Sequence, residues 1–286
     1  MTLKLAVPNK GRLHEPALDL LEDSGIGVID RGSRQLFART NISDLEIIFV
    51  RTQDIPNMVA SGAADLGITG HDLILESESN VEELLDLEFG NAKMVVAAHK
   101  KSDIESIEEV EGKVKVATEF PNVTRKYFKE NGIDVELSEV SGATEITPFI
   151  GMADLIVDLT STGITLRTHG LEVIDTLFET SVRLIANPES LKDKKKKIED
   201  IRRALESVIK AKPRKLVMMN VPNEKISNIK EIMPGMSGPT VSKVEGTDLL
   251  AVQAVVQSDK VYEMVNKAKA EGAKDILVIP IERILA

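Results

Sequence analysis

ADLIVDLTSTGITL, residues 153–166, is the stretch of sequence that decides the fold. Its first half is a short apolar run, typical of a strand that is buried on both faces of a parallel sheet. Its second half is small and rich in hydroxyl groups, with one glycine, and leads into a helical turn that we predict to start near Thr165. A strand, a tight loop and a helix in this order predict an α/β sheet with ligands at its carboxyl edge.

The loop in this stretch is a candidate anion site. A loop between a strand and a helix can turn backbone N–H groups, hydroxyl groups and a helix N-terminus toward one phosphate. Asp158 stands at the carboxyl end of the strand, and its charge would repel a phosphate. The combination therefore suits a ligand with a phosphate and sugar hydroxyls, such as a phosphoribosyl group, or a phosphate that carries a metal. The same residues also fit an ordinary strand-to-helix turn with Thr and Ser as caps.

Composition narrows the class of protein. A length of 286 residues predicts two or three domains, and 42% hydrophobic with 29% charged residues is typical of a soluble globular protein. No apolar run approaches the ~18 residues that span a membrane, and the apolar segment at the N-terminus is too short for a signal peptide. The sequence has no cysteine, which excludes disulfides and thiolate chemistry. These features predict a cytoplasmic protein with no membrane partner.

Charge and aromatic content argue against nucleic-acid partners. The net charge is −10, whereas general nucleic-acid binding needs a basic face. Aromatic residues make up 3% of the chain and tryptophan is absent, which leaves few platforms for base stacking. Four consecutive lysines, residues 194–197, are offset by neighbouring acids and predict a solvated helix face.

The first hundred residues alternate between strand and helix patterns. We predict strands at 3–8, 45–50, 64–70 and 94–99, and helices at 14–24 and 54–61. Lys10 and Arg12 follow the first strand and Arg51 follows the second, so a parallel sheet would bring their charges to one edge. For Lys10 and Arg12, a solvated basic loop is the competing interpretation.

A second alternating segment begins after an acidic linker at residues 102–112. We predict strands at 113–118 and 135–140, and helices at 121–131 and 143–152, ahead of the strand that contains Asp158. The pattern predicts two lobes across a cleft. Residues 1–99 with 180–212 are expected to form the first lobe and residues 100–179 the second, with the strand-rich segment 171–186 returning to the first lobe.

Residues 213–286 are predicted to form a separate domain. Strand patterns at 215–221, 249–257 and 275–281 alternate with helix patterns at 224–233 and 261–272. This order predicts a small ferredoxin-like α+β domain. The segment carries few chemically reactive side chains, which favours regulation over catalysis.

Common catalytic and metal-binding motifs are absent. The sequence contains no His-Glu-x-x-His, no Walker loop and no Gly-x-Gly-x-x-Gly, which argues against zinc hydrolysis, P-loop chemistry and dinucleotide oxidoreduction. Its four histidines, at positions 14, 71, 99 and 169, lack metal-ligand spacing and are predicted to lie at the surface or in packing contacts.

Segments along nearly the whole chain resemble the ATP phosphoribosyltransferase family. The run Glu145-x5-Gly151-x-Ala153-x2-Ile156-x-Asp158-Leu159-x2-Thr162-Gly163-x-Thr165-Leu166 resembles the family signature. Further family-like segments, in family order, are AVPNKGRL (6–13), VRTQDI (50–55), DLGITGHDL (65–73), EFGNAK (88–93) and ATEFPNVTRKY (117–127). The segments PGMSGPTV (234–241) and GAKDILVIPIERI (272–284) resemble the C-terminal domain of the long form.

The resemblance implies a fold and a reaction. The fold is a bilobal α/β core like that of type II periplasmic binding proteins, followed by a ferredoxin-like (ACT-like) regulatory domain. The reaction joins ATP to phosphoribosyl pyrophosphate (PRPP), giving N1-(5-phosphoribosyl)-ATP and pyrophosphate, the first step of histidine biosynthesis. It requires Mg²⁺, expected to arrive largely on the substrates' phosphates. Histidine is the implied feedback inhibitor, AMP is left open as a further ligand, and a homo-oligomer that exchanges between dimers and hexamers is expected.

The resemblance also implies roles for individual residues. Asp158 would hold the ribose hydroxyls, and the residues expected to cradle the 5-phosphate of PRPP are Thr160, Ser161, Thr162, Gly163 and Thr165. Lys10, Arg12 and Arg51 would neutralise the leaving pyrophosphate. Glu145 would act near the anomeric carbon or orient the loop, and both roles stay open. No protein ligand of the metal is assigned.

Two further sets of residues come from the resemblance. The expected nucleotide contacts are Asp72, Leu73, Gly90, Asn91 and Phe120, with the strand exit at 118–122. The expected contacts of the histidine inhibitor are Asn220, Met236, Gly238 and Thr240. Two positions depart from the family pattern: Asn220 stands where members often carry an acid, and Phe120 where others carry a tyrosine.

Two other functions share parts of this pattern. A non-enzymatic solute-binding protein can have the same bilobal fold, since fold does not determine function. The hydroxyl-rich loop and the missing signal peptide favour an enzyme. A phosphoribosyltransferase for a different base usually carries two adjacent acids before the loop, whereas Val157 precedes Asp158 here.

Overall fold

The computed structural model describes residues 2–29, 36–102, 104–110, 112–236 and 238–285. Residue 237, within the loop predicted to bind an effector, therefore lies outside the described residues. The chain divides into two compact units, residues 1–22 with 26–202, and residues 23–25 with 203–286. Within the described ranges, no helix is both long and apolar enough to cross a membrane.

Helices and strands alternate along most of the chain. The strands are β1 Leu3–Pro8, β2 Phe37–Arg39, β3 Leu45–Val50, β4 Leu66–Gly70, β5 Glu82–Asp86, β6 Ala92–His99, β7 Lys113–Thr118, β8 Asp134–Glu139, β9 Leu155–Thr160, β10 Leu171–Thr180, β11 Val182–Ala186, β12 Arg214–Pro222, β13 Thr240–Lys243, β14 Leu249–Gln257 and β15 Lys274–Pro280. The α-helices are α1 His14–Asp23, α2 Ile55–Ala60, α3 His71–Ser77, α4 Pro121–Glu130, α5 Ile164–Thr168, α6 Pro188–Asp193, α7 Lys195–Ala211, α8 Ile226–Ile232 and α9 Val261–Ala270.

The first lobe is built on a sheet of order β2-β3-β1-β4-β11-β5. Strands β1, β3 and β4 run parallel, and Leu5 pairs with Ile47 on one side and Leu66 on the other. All three of these side chains are fully buried, which explains why their strands are continuous apolar runs. The parallel direction brings the carboxyl ends of β1 and β3 to the same edge.

The second lobe is built on a sheet of order β10-β6-β9-β7-β8. Strand β9 contributes Leu155 and Val157 to the core on one face and Ile156 to the core on the other, so it is buried on both faces as its apolar run predicts. Its neighbour β6 runs antiparallel to it. Because β6 belongs to this sheet, the prediction that residues 94–99 close the first lobe was wrong.

One local prediction was also wrong. Residues 143–152 do not form a helix; only a 3₁₀ turn at Thr144–Ile146 is present, with Ala143 (φ 52°) before it and Gly151 (φ 70°) after it. The larger apolar residues of this segment are exposed, Ile150 being 67% accessible, so the segment has no buried face that would stabilise a helix.

The lysine run is only partly a solvated face. Lys194 separates α6 from α7, and its Nζ lies 2.8 Å from Oδ1 of the buried Asp65. Lys197 forms an ion pair with Asp44. Two of the four lysines thus have acidic partners within the first lobe, and contacts distant in sequence supply those partners.

The C-terminal unit has the predicted ferredoxin-like topology. Its sheet has the order β13-β14-β12-β15, with all neighbours antiparallel. Alternate residues of β12, namely Val217, Met219 and Val221, pack against Ile229 of α8 and Met264 of α9 in one core. Because only one face of β12 packs into this core, burial alternates along the strand.

Candidate functional site

A tight turn carries the chain from β9 into α5. The hydroxyl oxygen of Thr160 accepts a hydrogen bond from the Gly163 N–H at 2.8 Å, which closes the loop. Gly163 has a φ of 69° in the left-handed region, which a side chain rarely adopts. A Cβ at this position would also lie 3.1 Å from Nη1 of Arg167. The glycine in the hydroxyl-rich loop is therefore a backbone requirement of the turn.

This loop lines a cavity of about 330 Å³ that contains both acidic and basic groups. Its walls include Arg12, Glu145, Asp158, Thr160, Ser161, Thr162, Ile164 and Thr165. The structure thus brings together most of the residues predicted to bind PRPP and two of those predicted to be catalytic. Glu145 reaches the cavity from the 3₁₀ turn that replaces the predicted helix.

Arg12 links the basic loop of the first lobe to the hydroxyl-rich loop of the second. Its Nη1 lies 3.3 Å from the hydroxyl oxygen of Ser161. The Ser161 hydroxyl in turn donates to the backbone oxygen of Asn91 at 3.2 Å. The cavity is therefore bounded by both lobes, and Ser161 in its wall is tied to the segment that connects β5 to β6.

Lys10 and Arg51 follow two neighbouring strands of the first sheet but do not line this cavity. They follow β1 and β3, whose last residues Pro8 and Val50 pair, and the Asn9 N–H donates to the Val50 oxygen at 2.8 Å. Both side chains are exposed. Their positive charges remain at the same sheet edge as Arg12, as the parallel pattern predicts.

Asp158 has an unusual electrostatic environment. Burial raises its pKa to about 6, and the negative charges of Glu119 and Glu145 act in the same direction. Two hydrogen bonds oppose this rise, one from the Leu159 N–H at 2.6 Å and one from the Thr144 hydroxyl. A carboxyl group held in this way gains stability when a ligand donates hydrogen bonds to it, as vicinal sugar hydroxyls can.

The predicted nucleotide residues have mainly packing roles in this structure. Asp72 is buried, and its Oδ1 accepts a hydrogen bond from the Thr180 hydroxyl at 2.8 Å. Leu73 packs against the core of the second lobe and Phe120 belongs to that core. None of the three lines the cavity beside Asp158.

The other two predicted nucleotide residues lie where the chain crosses between the lobes. Gly90 has a φ of 69°, and a Cβ there would lie 2.8 Å from side-chain carbons of Leu13 and Val182. Its neighbour Asn91 is exposed and is joined to the hydroxyl-rich loop through its backbone oxygen. This pair is therefore the part of the nucleotide set that lies next to the cavity.

The residues predicted to bind an effector are in the C-terminal unit. Asn220 of β12 donates from Nδ2 to Oδ2 of Asp275 at 2.9 Å, so an acid reaches this position from the neighbouring strand β15. Thr240 begins β13, and Met236 and Gly238 lie in the loop before it. All three of these loop and strand residues are exposed.

Two residues near the cavity, Arg167 and Glu119, were not predicted from the sequence. Arg167 donates from Nη2 to the Thr162 backbone oxygen at 3.0 Å and so secures the loop from α5. Its position four residues after Gly163 on a helix was a usable signal. Glu119, which raises the pKa of Asp158, follows β7 and had no recognisable signal because it meets Asp158 only through the pairing of β7 with β9.

Among the described residues, the acidic and histidine side chains do not form a metal site of their own. Among the residues that the structure describes, no group of three or more His, Asp or Glu side chains is placed to hold a metal ion. The cavity offers the carboxyl groups of Asp158 and Glu145. One or two carboxylates with substrate phosphates are the typical surroundings of Mg²⁺, so these residues fit an ion that enters with its substrate.

Comparison with known proteins gives matches over the full chain. The family model described as ATP phosphoribosyltransferase matches residues 51–207, and the model described as HisG, C-terminal domain, matches residues 211–283. An ATP phosphoribosyltransferase from Methanosarcina barkeri is 51% identical over 289 residues, covering 99% of both chains. One from Methanopyrus kandleri is 53% identical over 287 residues with the same coverage. A solved structure, the ATP phosphoribosyl transferase (HisG:HisZ) complex from Thermotoga maritima, matches with 32% identity and a TM-score of 0.63, over 72% of this chain and 99% of that chain.

Proposed function

Because the chain belongs to the ATP phosphoribosyltransferase family, whose reaction is the first step of histidine biosynthesis, we propose that its cavity at residues 158–165 binds PRPP. The observation that supports this proposal is that a half-buried acid, a hydroxyl-rich loop turned by a glycine, and Arg12 surround one cavity of about 330 Å³. Asp158 accepts hydrogen bonds from the ribose hydroxyls. The loop's hydroxyls and backbone N–H groups bind the 5-phosphate.

The proposed reaction needs no nucleophile from the protein. The lone pair of adenine N1 forms a bond to the anomeric carbon of PRPP while the bond from that carbon to pyrophosphate breaks. The bonding electrons leave with the pyrophosphate oxygen. Catalysis then consists of aligning two substrates and stabilising the charge that develops on the leaving group.

The basic groups are proposed to act on the pyrophosphate. Arg12 is already in the cavity, bound to the Ser161 hydroxyl, and exchanges this neutral partner for a phosphate oxygen. Lys10 and Arg51 lie at the same edge of the first sheet and add positive charge there. Glu145, which shares the cavity with Asp158, completes the proposed catalytic set.

Substrate-borne Mg²⁺ is part of the proposal. When bound to the phosphates of PRPP and ATP, it would neutralise part of their negative charge. The chain, with a net charge of −10, has fewer basic than acidic groups to do so. The chain's own contribution is the Asp158 and Glu145 carboxyl groups. Gly90 and Asn91 are proposed to contact the nucleotide, while Asp72, Leu73 and Phe120 support them from the packed interior.

The C-terminal unit is proposed to bind histidine as a feedback inhibitor. Its support is the family match over residues 211–283 and the pairing of Asn220 with Asp275, which supplies an acid for an amino group. We extend the proposal to a cytoplasmic homo-oligomer that exchanges between dimer and hexamer and to AMP as a second nucleotide ligand. Analytical ultracentrifugation with and without histidine or AMP tests these assignments.

An assay of pyrophosphate release tests the proposed activity. Release is expected only when ATP, PRPP and Mg²⁺ are present together, with N1-(5-phosphoribosyl)-ATP as the second product. Free adenine or orotate in place of ATP is expected to give no release. Binding of a solute without turnover, or turnover with either free base, would contradict the proposal.

A further inference from the structure

Glu76 makes a further polar connection between the lobes, in addition to the Arg12–Ser161 and Asp72–Thr180 hydrogen bonds. Glu76 lies on α3, which follows β4 of the first sheet, and its partners lie on α4, which follows β7 of the second sheet. Its carboxylate accepts a hydrogen bond from the Val123 N–H at 3.0 Å and from the Asn122 N–H at 3.1 Å. The Asn122 side chain donates back to the Glu76 backbone oxygen at 2.9 Å.

This contact supplies a cap that α4 does not provide for itself. The first turn of a helix has N–H groups without intrahelical partners and carries the positive end of the helix dipole. The residue at the N-cap position of α4 is Phe120, which makes no side-chain capping bond. The capping acceptor therefore comes from the other lobe, and α4 is complete only when the lobes are in contact.

Glu76 is half-buried and lies beside an apolar contact between the lobes. Burial raises the pKa of its carboxyl group, while the bonds from the Val123 and Asn122 N–H groups act against that rise. Leu73, one turn earlier on the same helix, packs against the apolar core of the second lobe. A half-buried carboxylate is screened less than an exposed one, and here it lies beside an apolar contact that orients its helix.

We propose that Glu76 is a positioning residue that latches the two lobes, holding the hydroxyl-rich loop of the second lobe opposite Arg12 of the first. The loop and Arg12 belong to different sheets, so their separation depends on how the lobes sit against each other. Glu76 and its α4 partners form the interlobe latch. While the latch is closed, the Asn122 and Val123 N–H groups are occupied, and a nucleotide phosphate binds elsewhere than on these two donors.

The absence of cysteine from the sequence allows a direct measurement of the latch. Spin labels on Asp19→Cys in α1 and Lys115→Cys in β7 place one probe in each lobe, at exposed positions. Distances between the two spin labels are then measured by pulsed electron–electron double resonance in the parent, Glu76→Ala and Glu76→Gln. We expect Glu76→Ala to broaden the interlobe distance distribution, and Glu76→Gln, which keeps an acceptor oxygen, to fall between the two.

Glu109→Ala is a matched control. The Glu109 carboxylate also accepts two backbone N–H groups, from Glu105 at 2.7 Å and Ser106 at 3.3 Å, but all three residues lie in the second lobe. Its loss removes the same kind of bond without touching the lobe contact. We therefore expect its interlobe distances to match those of the parent.

Steady-state kinetics provide a second readout, which rests on the proposed function. If latch loss leaves about one molecule in ten with aligned lobes, the apparent KM for PRPP rises roughly tenfold, while kcat at saturating PRPP stays within about threefold. An unchanged distance distribution in Glu76→Ala, with circular dichroism like the parent's, would overturn the latch. A fall in kcat with KM unchanged would do the same. A chain without transferase activity but with broadened distances would contradict the proposed function and leave the latch supported.

Discussion

Replacing Asp158 by asparagine should stabilise the ligand-free protein while weakening PRPP binding and turnover. The pKa of Asp158 is raised from 3.8 to about 6 by burial. A raised pKa means that the folded chain holds the proton more tightly than the unfolded chain. The contribution of this carboxyl group to stability is thus fully present below pH 3.8 and is lost as the pH rises through about 6.

The magnitude follows from the size of the shift. At about 1.4 kcal/mol per pKa unit, the ionised carboxylate costs the folded state about 3 kcal/mol at pH 8. The same relation gives a cost of about 1.5 kcal/mol at pH 5. Asparagine has the same shape, cannot ionise, and still accepts the hydrogen bond that the Leu159 N–H makes at 2.6 Å. Asp158→Asn should therefore gain stability over the parent as the pH rises.

Thermal unfolding of both proteins across pH 5 to 8 measures this effect. For a chain of this size each kcal/mol corresponds to about 2–4 °C, so the gap in Tm should widen by about 3–6 °C over that range. Asp134→Asn, an exposed carboxyl group of β8 in the same sheet, is the control and should show no widening. PRPP should raise the Tm of the parent and of the control but not that of Asp158→Asn, whose turnover should also fall.

Two results would refute the reasoning about Asp158. A variant less stable than the parent at pH 8 would mean that the carboxylate is satisfied in the folded state. A gap in Tm that does not change with pH would mean that ionisation is not its cause. Glu145→Gln offers an internal check, because removal of that neighbouring charge should lower the pKa of Asp158 and shift the whole curve to lower pH.

Three further changes test other parts of the structure. Gly163→Ala places a side chain on a residue with a left-handed φ of 69°, which should cost about 1 kcal/mol of local strain. We therefore expect a higher KM for PRPP in steady-state assays. The control Thr168→Ala, at an exposed position of the following helix, should leave KM unchanged. Lys194→Ala leaves the buried Asp65 without its ion-pair partner and should lower the free energy of unfolding by roughly 3 kcal/mol in denaturant titrations. The control Lys192→Ala breaks an exposed ion pair and should change the free energy of unfolding little. Equal losses in the two variants would contradict this account. Thr240→Ala should raise the histidine concentration needed for half-inhibition about tenfold, while kcat without histidine stays near that of the parent. A complete loss of activity would argue against a separate regulatory unit.

The loop geometry could be predicted from sequence because it depends on neighbours in the chain. The apolar run before Asp158 required a strand buried on both faces, and Gly163 was the residue able to take the left-handed turn. The ferredoxin-like unit was predictable for the same reason, since the order of its strand and helix patterns along the chain already indicates this topology. The helix predicted at 143–152 was wrong because its apolar residues, Ile146, Phe149, Ile150 and Met152, are exposed, so no buried face stabilises a helix there.

Sequence by itself determined the strand, the glycine turn, the hydroxyl-rich loop and the family likeness, all of which depend on residue type and short spacing. Only the tertiary structure decided that β6 joins the second sheet, that Glu145 and Glu119 act on Asp158, and that Glu76 caps a helix of the other lobe. These contacts join residues far apart in the chain. Their free energy comes from pairing and burial that exist only after both lobes have formed, so no local pattern of residues encodes them.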